Sequence, residues 1–236
     1  MNKLLEIIKI IRGMIPDHSY PDNERIVTLI DPGHGGVVNG VYTTAPSKMA
    51  IFPEFTFYEG VFNRALAWTY ALRLHERNFG YHVIVPEDDD VILRDRAWRA
   101  NDVMKYLTRI EKKCYLHSIH GNAFSDPKVT GIEVITSPGN TASDMIASVF
   151  YKYLVGMGWK MRFDEADGDV DKEARLFMLT QTKMPAILTE TGFYTNPIQA
   201  ELMRSQLTIN LLADFFLMAH LEIVASNIRG EKKFIL

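Results

Sequence analysis

Three apolar segments of the sequence each end in a side chain that can bind a metal ion or carry a proton, with glycine close by. The pairs are residues 26–30 with His34, residues 115–119 with His120, and residues 186–189 with Glu190. Short runs rich in β-branched residues predict buried strands. Because ligands bind at the carboxyl ends of strands in open α/β sheets, we expect the three side chains to meet in one crevice.

These residue types suit a hydrolytic zinc site, which takes three protein ligands and leaves a fourth position for water. His34 and His120 are two candidates, and Glu59, at the start of a predicted helix over residues 59–78, is the third. Glu190 is a second carboxylate at the same edge and a candidate base. Each candidate also has a purely structural interpretation. Residues 33–36 can form an ordinary tight turn, Glu59 can be a first-turn carboxylate that complements the helix dipole, and Glu190 can be a buried hydrogen-bonding partner.

Four motifs occur in an order that resembles one known family. They are Asp31-Pro32-Gly33-His34-Gly35-Gly36, Tyr58-Glu59-Gly60 through Asn63, Ser118-Ile119-His120-Gly121-Asn122-Ala123 and residues 184–196, with weaker matches at Arg96, residues 100–101 and residues 131–133. Together they resemble the zinc-dependent N-acetylmuramoyl-L-alanine amidases, the amidase_3 family of peptidoglycan hydrolases. The resemblance extends over about residues 26–220.

The resemblance implies one Zn²⁺ per chain, held by His34, Glu59 and His120, with Glu190 as the catalytic residue. The implied reaction is hydrolysis of the amide between the lactyl group of N-acetylmuramic acid and L-alanine of the stem peptide, by a zinc-activated water with a glutamate general base. Asn122 lies two residues beyond a ligand, so it is a candidate for holding substrate or for supporting a ligand.

Some features depart from the family pattern. The loop over residues 37–58 looks longer than usual and is rich in aromatic residues, which either fix the loop to the domain or line a groove. Gly121 stands where the family more often has alanine. Two alternative functions stay open at this point: a zinc peptidase that cuts a peptide bond of the stem peptide, and a non-catalytic module that binds the cell wall.

Length and composition predict one globular domain, since 47% of the 236 residues are hydrophobic. Helical and strand-like segments alternate, which predicts an α/β fold: a twisted, mostly parallel sheet of about six strands covered by helices on both faces. We expect an amphipathic N-terminal helix and linker at residues 1–24, the catalytic domain at residues 25–228 and a tail at residues 229–236. The helix either packs on the domain or docks on a protein partner or a membrane surface.

Charge and hydropathy limit the kinds of partner that the chain is expected to bind. A net charge of -3 gives no basis for binding nucleic acid, and we expect no apolar run to reach the roughly 18–20 residues of a membrane span. The single cysteine, Cys114, is expected to be buried. Glu6, Lys9 and Arg12 interrupt the first apolar stretch, which argues against a signal peptide. We therefore expect synthesis in the cytoplasm and release to the periplasm or a host wall by another route.

Overall fold

Helices and strands alternate along the chain in the computed structural model, which describes residues 2–164 and 170–228. The helices are α1 (Asn2–Met14), α2 (Glu59–Glu76), α3 (Leu93–Arg109), α4 (Ala142–Leu154), α5 (Phe177–Thr180), α6 (Pro197–Met203) and α7 (Gln206–Ile228). The strands are β1 (His18–Ser19), β2 (Ile26–Pro32), β3 (Val37–Val38), β4 (Val41–Tyr42), β5 (Met49–Ile51), β6 (Thr56–Tyr58), β7 (Gly80–Val83), β8 (Lys113–Asn122), β9 (Ile132–Thr136), β10 (Met161–Arg162), β11 (Lys172–Glu173) and β12 (Ala186–Phe193). The predicted tail at residues 229–236 lies outside the described residues.

The central sheet has the strand order β1-β7-β2-β8-β12-β9-β10, and β11 also pairs with β9. Strands β7, β2, β8 and β12 run parallel, whereas β1 is antiparallel to β7 and β9 is antiparallel to β12. The predicted single α/β domain with a mostly parallel sheet is confirmed. The sheet has eight strands rather than about six, because β1, β10 and β11 are two-residue strands, too short for a hydrophobic period to reveal.

Apolar side chains of β2 alternate between two cores, one on each face of the sheet. Ile26 and Ile30 belong to the core formed with α1, α2, α4 and α7, whereas Val27 and Leu29 belong to the core formed with α3 and α5. Cys114 is buried in the second core, as predicted. Both faces are therefore covered, and the carboxyl edge of the parallel strands is left for the site.

The N-terminal helix packs on the domain. Leu4, Ile8 and Ile11 are buried in the core that contains α2, and the segment predicted to be a linker contributes β1 to the sheet. These contacts favour the packing interpretation of α1, while docking on a partner and a domain boundary at residue 25 stay predictions.

Shortening a buried side chain of α1 should therefore destabilise the whole domain. Ile8 is 3% exposed and Ile10, on the same helix, is 54% exposed. We expect Ile8→Ala to lower the free energy of unfolding by about 2–5 kcal/mol. The matched variant Ile10→Ala should change it by less than about 0.5 kcal/mol. Urea unfolding measures both, and an equally small effect of the two variants would show that α1 is not part of the cooperative core.

The loop over residues 37–58 is not irregular throughout. It folds into two short hairpins, β3–β4 and β5–β6. Phe57 is buried and its ring stacks on Tyr194 at a centroid distance of 5.4 Å, and the guanidinium of Arg204 lies 4.5 Å from the Phe55 ring centroid. These aromatic residues fix the loop to the domain, which is the first of the two roles predicted for them.

The last helix corrects the expectation that no segment is long and apolar enough to span a membrane. Residues 206–227 meet that criterion by length and composition. However, 56% of the apolar stretch is buried inside the domain, where α7 packs against α2 and α4. Helix α7 is thus a central core helix, and its hydrophobicity is explained by packing on several sides.

Two histidines are buried in the core on the α7 side of the sheet. The Nδ1 atom of His220 lies 2.8 Å from Thr28 Oγ1 and 3.0 Å from Tyr115 Oη, and His117 Nε2 lies 2.9 Å from Thr189 Oγ1. Burial lowers the pKa of each imidazole to about 3. Both histidines are therefore neutral in the folded protein at neutral pH.

Acidification should destabilise the domain through these histidines. Between pH 6.5 and 3 they bind protons in the unfolded chain but not in the folded one, so stability falls as pH falls. From pH 7 to pH 5 each one should lower the unfolding free energy by about 2 kcal/mol. In urea unfolding of metal-free protein, the loss of unfolding free energy from pH 7 to pH 5 should be about 2 kcal/mol smaller in His220→Met than in the parent chain. An unchanged loss would mean that folded His220 takes up the proton.

Candidate active site

Three of the predicted site residues form a compact cluster at the carboxyl edge of the sheet. His34 lies in the turn after β2, Glu59 is the first residue of α2, and His120 lies within β8. Glu59 Oε1 is 3.1 Å from His34 Nε2 and 3.1 Å from His120 Nδ1. The three potential ligand atoms lie within 4.8 Å of one another. His120 was expected just after its strand, but β8 continues two residues beyond it.

The protonation states suit a cation. Burial alone would raise the pKa of Glu59, but hydrogen bonds with His120 and His34 outweigh it and lower this pKa to about 2. Burial lowers the pKa of His34, whereas for His120 the Glu59 carboxylate outweighs burial and raises the pKa. Protons compete with a metal ion for the imidazoles of this cluster, so the affinity for the ion should fall as pH falls.

Glycines allow the elements of the cluster to approach closely. A Cβ atom on Gly33 would lie 2.2 Å from His120 Cε1, and one on Gly60 would lie 1.8 Å from the Gly35 carbonyl oxygen. A larger residue fits at position 33 only if the His120 ring moves, and at position 60 only if the backbone moves. This contact explains why glycine follows Glu59 and why the turn around His34 is rich in glycine.

Two buried arginines hold the backbone of the His34 turn. Arg64 Nη1 donates to the His34 carbonyl at 2.6 Å, and Arg96 Nη2 donates to the same oxygen at 2.7 Å. Arg96 Nη1 also donates to Asp31 Oδ1 at 2.8 Å and to the Pro32 carbonyl at 2.7 Å. Sequence reasoning missed Arg64, although a charged residue amid the apolar positions of a buried helix was the available signal.

Glu190 lies beside the cluster rather than in it. In the sheet its Cα pairs with that of His120 on β8 and with that of Glu133 on β9. Burial raises its pKa to about 8; the charge of His120 opposes this, and the charges of Glu59 and Glu133 add to it. Its Oε2 atom is buried and has no hydrogen-bond partner. A carboxyl group in this environment can both accept and release a proton near neutral pH.

Asn122 contacts a second acidic residue near the site. Its Nδ2 donates to Glu133 Oε2 at 3.1 Å, and Glu133 Oε1 accepts from Arg162 at 2.9 Å and from Lys172 at 2.7 Å. Glu133 was noted in the sequence only as part of a weak family match. In the structure it links Asn122 and two cations to the strand next to Glu190.

A cavity of about 400 Å³ opens next to His34 and His120. Asp31, Gly33, Asp90, residues 91–93 and Arg96 form its other walls, and Ile92 and Leu93 are exposed. The cavity therefore combines charged groups with an aliphatic surface at residues 91–93 beside the cluster, where part of a substrate can lie.

Comparisons with known proteins agree with this geometry. A family model described as N-acetylmuramoyl-L-alanine amidase matches residues 28–219. An N-acetylmuramoyl-L-alanine amidase from Clostridium difficile 630 superposes with a TM-score of 0.68 at 26% identity, covering 85% of this chain and 97% of that one. A search of curated proteins found no match.

Two more distant solved structures share the fold. Ami1 from Mycobacterium smegmatis has a TM-score of 0.68 at 19% identity and covers 85% of this chain and 97% of its own. The catalytic domain of CwlV from Bacillus (Paenibacillus) polymyxa var. colistinus has a TM-score of 0.61 at 22% identity and covers 84% and 98%. Since the family model accounts for most of the sequence, the chain belongs to the N-acetylmuramoyl-L-alanine amidase family and is an amide hydrolase that acts on peptidoglycan.

Proposed function

We propose that His34, Glu59 and His120 bind one Zn²⁺ ion per chain. Two imidazoles and one carboxylate are a ligand set of catalytic zinc sites, which keep a fourth position open. The residues fit such an ion, because their ligand atoms converge and Glu59 Oε2 is buried without a hydrogen-bond partner. When bound, zinc supplies Lewis-acid polarisation of the amide carbonyl and lowers the pKa of water.

Glu190 is the general base in this proposal. It lies on the strand next to His120, outside the group of three ligand residues, so its carboxylate can approach the attacking water. It takes a proton from that water and later gives it to the amide nitrogen of the leaving L-alanine. Its raised pKa supports the second step, since the protonated carboxyl group is stable near neutral pH.

The surroundings of these residues position the substrate. Asn122, held by Glu133, presents an amide at the edge beyond His120 and is proposed to contact the muramyl peptide. The cavity next to His34 provides aliphatic surface for another part of the same substrate. Glu59 is 1% exposed and the His34 and His120 side chains are 19% and 16% exposed, so bulk water reaches the cluster only in part.

The observation that carries the proposal is the convergence of His34, Glu59 and His120 beside Glu190 in a chain of the amidase family. Digesting purified peptidoglycan and mapping the new ends tests it. We expect free L-alanine amino termini and intact glycan strands. New ends inside the stem peptide would show a peptidase instead. Binding to walls without solubilisation at any zinc concentration would indicate a binding module.

The cell wall is thus the place of action, and we infer that residues 2–14 stay with the folded enzyme that reaches it. Leu4, Ile8 and Ile11 are buried in the core, as expected for a helix that stays in the folded domain rather than for a leader that is cleaved off. A protein partner of α1 would have to bind its exposed polar face, which includes Lys3 and Lys9.

A further inference from the structure

We infer that the N-terminal helix positions the ligand residue His34 through the contacts Arg12–Asp88–Arg64. The inference rests on the proposed metal function of His34. Helix α1 lies outside residues 28–219, which match the family model, so this support is a property of the present chain. The contacts form three links: from α1 to Asp88, from Asp88 to Arg64, and from Arg64 to the turn that carries His34.

The first link joins α1 to the turn after β7. Arg12 Nη1 lies 2.8 Å from Asp88 Oδ2, and the Arg12 guanidinium lies 5.4 Å from the ring centroid of Trp68 on α2. The two side chains of the ion pair are 24% and 29% exposed, so solvent screens the pair only in part. The aromatic ring fixes the direction from which the cation approaches Asp88.

The second link joins Asp88 to a fully buried cation. Arg64 is 0% exposed, and its Nε lies 3.5 Å from Asp88 Oδ1. The same Nε donates to the Glu87 carbonyl of this turn at 3.1 Å, and Nη2 donates to the Glu87 carbonyl at 3.0 Å and to the Asp89 carbonyl at 3.3 Å. Because a buried guanidinium needs a compensating charge, the position of Asp88 helps to determine the position of Arg64.

The third link reaches the turn that carries the ligand. Arg64 Nη1 donates to the His34 carbonyl at 2.6 Å, and the Gly36 amide donates to the Asp88 carbonyl at 2.7 Å. His34 has a φ of 62°, a left-handed conformation that residues other than glycine seldom adopt. Contacts from outside the turn must hold it there, and residues 64 and 88 supply two of them.

The consequence is that a change on α1 should alter the metal site. Without Arg12, the Asp88 carboxylate is free to turn toward solvent, and Arg64 no longer has a carboxylate held in a fixed position beside it. Support that acts through a ligand typically changes metal affinity by about 10–100-fold. Since Arg12 acts through two further residues, we expect an effect at the low end, about 10-fold.

Arg12→Met tests this inference, because it keeps an unbranched side chain over Trp68 and removes the charge. We expect zinc to bind about 10-fold more weakly in competition with a chelator. In metal-free protein, the Gly36 amide should exchange its hydrogen faster than in the parent chain. Arg12→Lys should restore most of the affinity. Lys9→Met, which removes a charge from an exposed position of the same helix, should leave both measurements unchanged.

A double-mutant cycle makes the test specific. Asp88→Asn should also weaken zinc binding, and Arg12→Met in that background should add little, since the two residues act in one chain of contacts. Fully additive effects, or a zinc affinity of Arg12→Met within twofold of the parent, would overturn the inference. If the parent chain bound no zinc, the proposed metal site would fail by itself, and Gly36 exchange would still report whether Arg12 holds the turn.

Discussion

Replacing Glu190 with glutamine should slow peptidoglycan hydrolysis by about 10²–10⁴-fold, the usual effect of losing a general acid and base. Glutamine keeps the size of the side chain and one acceptor oxygen, but it cannot take up a proton. Because the three ligand atoms come from other residues, zinc content should stay at one ion per chain. Thermal stability should also change little, since Glu190 Oε2 makes no hydrogen bond in the folded protein. Release of soluble wall fragments, metal analysis and a thermal melt measure the three quantities.

Glu59→Gln is the matched control for this variant. It makes the same chemical change at the first residue of α2, which is a proposed ligand, so it should lose zinc together with activity. If Glu190→Gln loses zinc instead, Glu190 is a ligand and the assignment of Glu59 must be revised. Full activity of Glu190→Gln would show that another group moves the proton.

The convergence of His34, Glu59 and His120 was predictable from sequence, because strand ends and glycine-rich turns restrict where reactive side chains can lie. His34 follows β2, His120 and Glu190 lie near the carboxyl ends of β8 and β12, and parallel strands bring these ends to one edge. The prediction of Glu59 as the third member depended on a helix that starts next to that edge and on the family resemblance. The structure places His34, Glu59 and His120 in contact, which spacing along the chain could suggest but not measure.

The supporting residues were not predictable in the same way, because they act through contacts between distant segments. Arg12 and Asp88 have ordinary local patterns, and although Arg64 stands out as a charge amid apolar positions, only the folded chain joins the three. The sheet edges show the same limit, since β1 and β10 are two residues long and carry no periodicity. Helix α7 is apolar on several sides because it is buried, so composition alone does not separate it from a membrane span.

Removing either histidine of the cluster should abolish stoichiometric zinc binding. With His34→Ala or His120→Ala, one imidazole and Glu59 remain, which is fewer than the three protein ligands of a catalytic zinc site. After dialysis against a weak chelator, the parent chain should keep one zinc per chain and each variant should keep almost none. Hydrolysis of peptidoglycan should fall with the metal content, whereas far-ultraviolet circular dichroism should show an intact fold.

A histidine outside the cluster provides the control for these two variants. His18 lies on β1, outside the cluster, so His18→Ala should keep the full zinc content of the parent. Zinc should also leave the parent chain on acidification, because protons compete for His120, whose pKa the Glu59 carboxylate raises. Full occupancy in both His34→Ala and His120→Ala would place the ion elsewhere, and the proposed ligand set would be wrong. Loss of zinc in only one of the two variants would show that the other histidine contributes to the cluster without binding the ion.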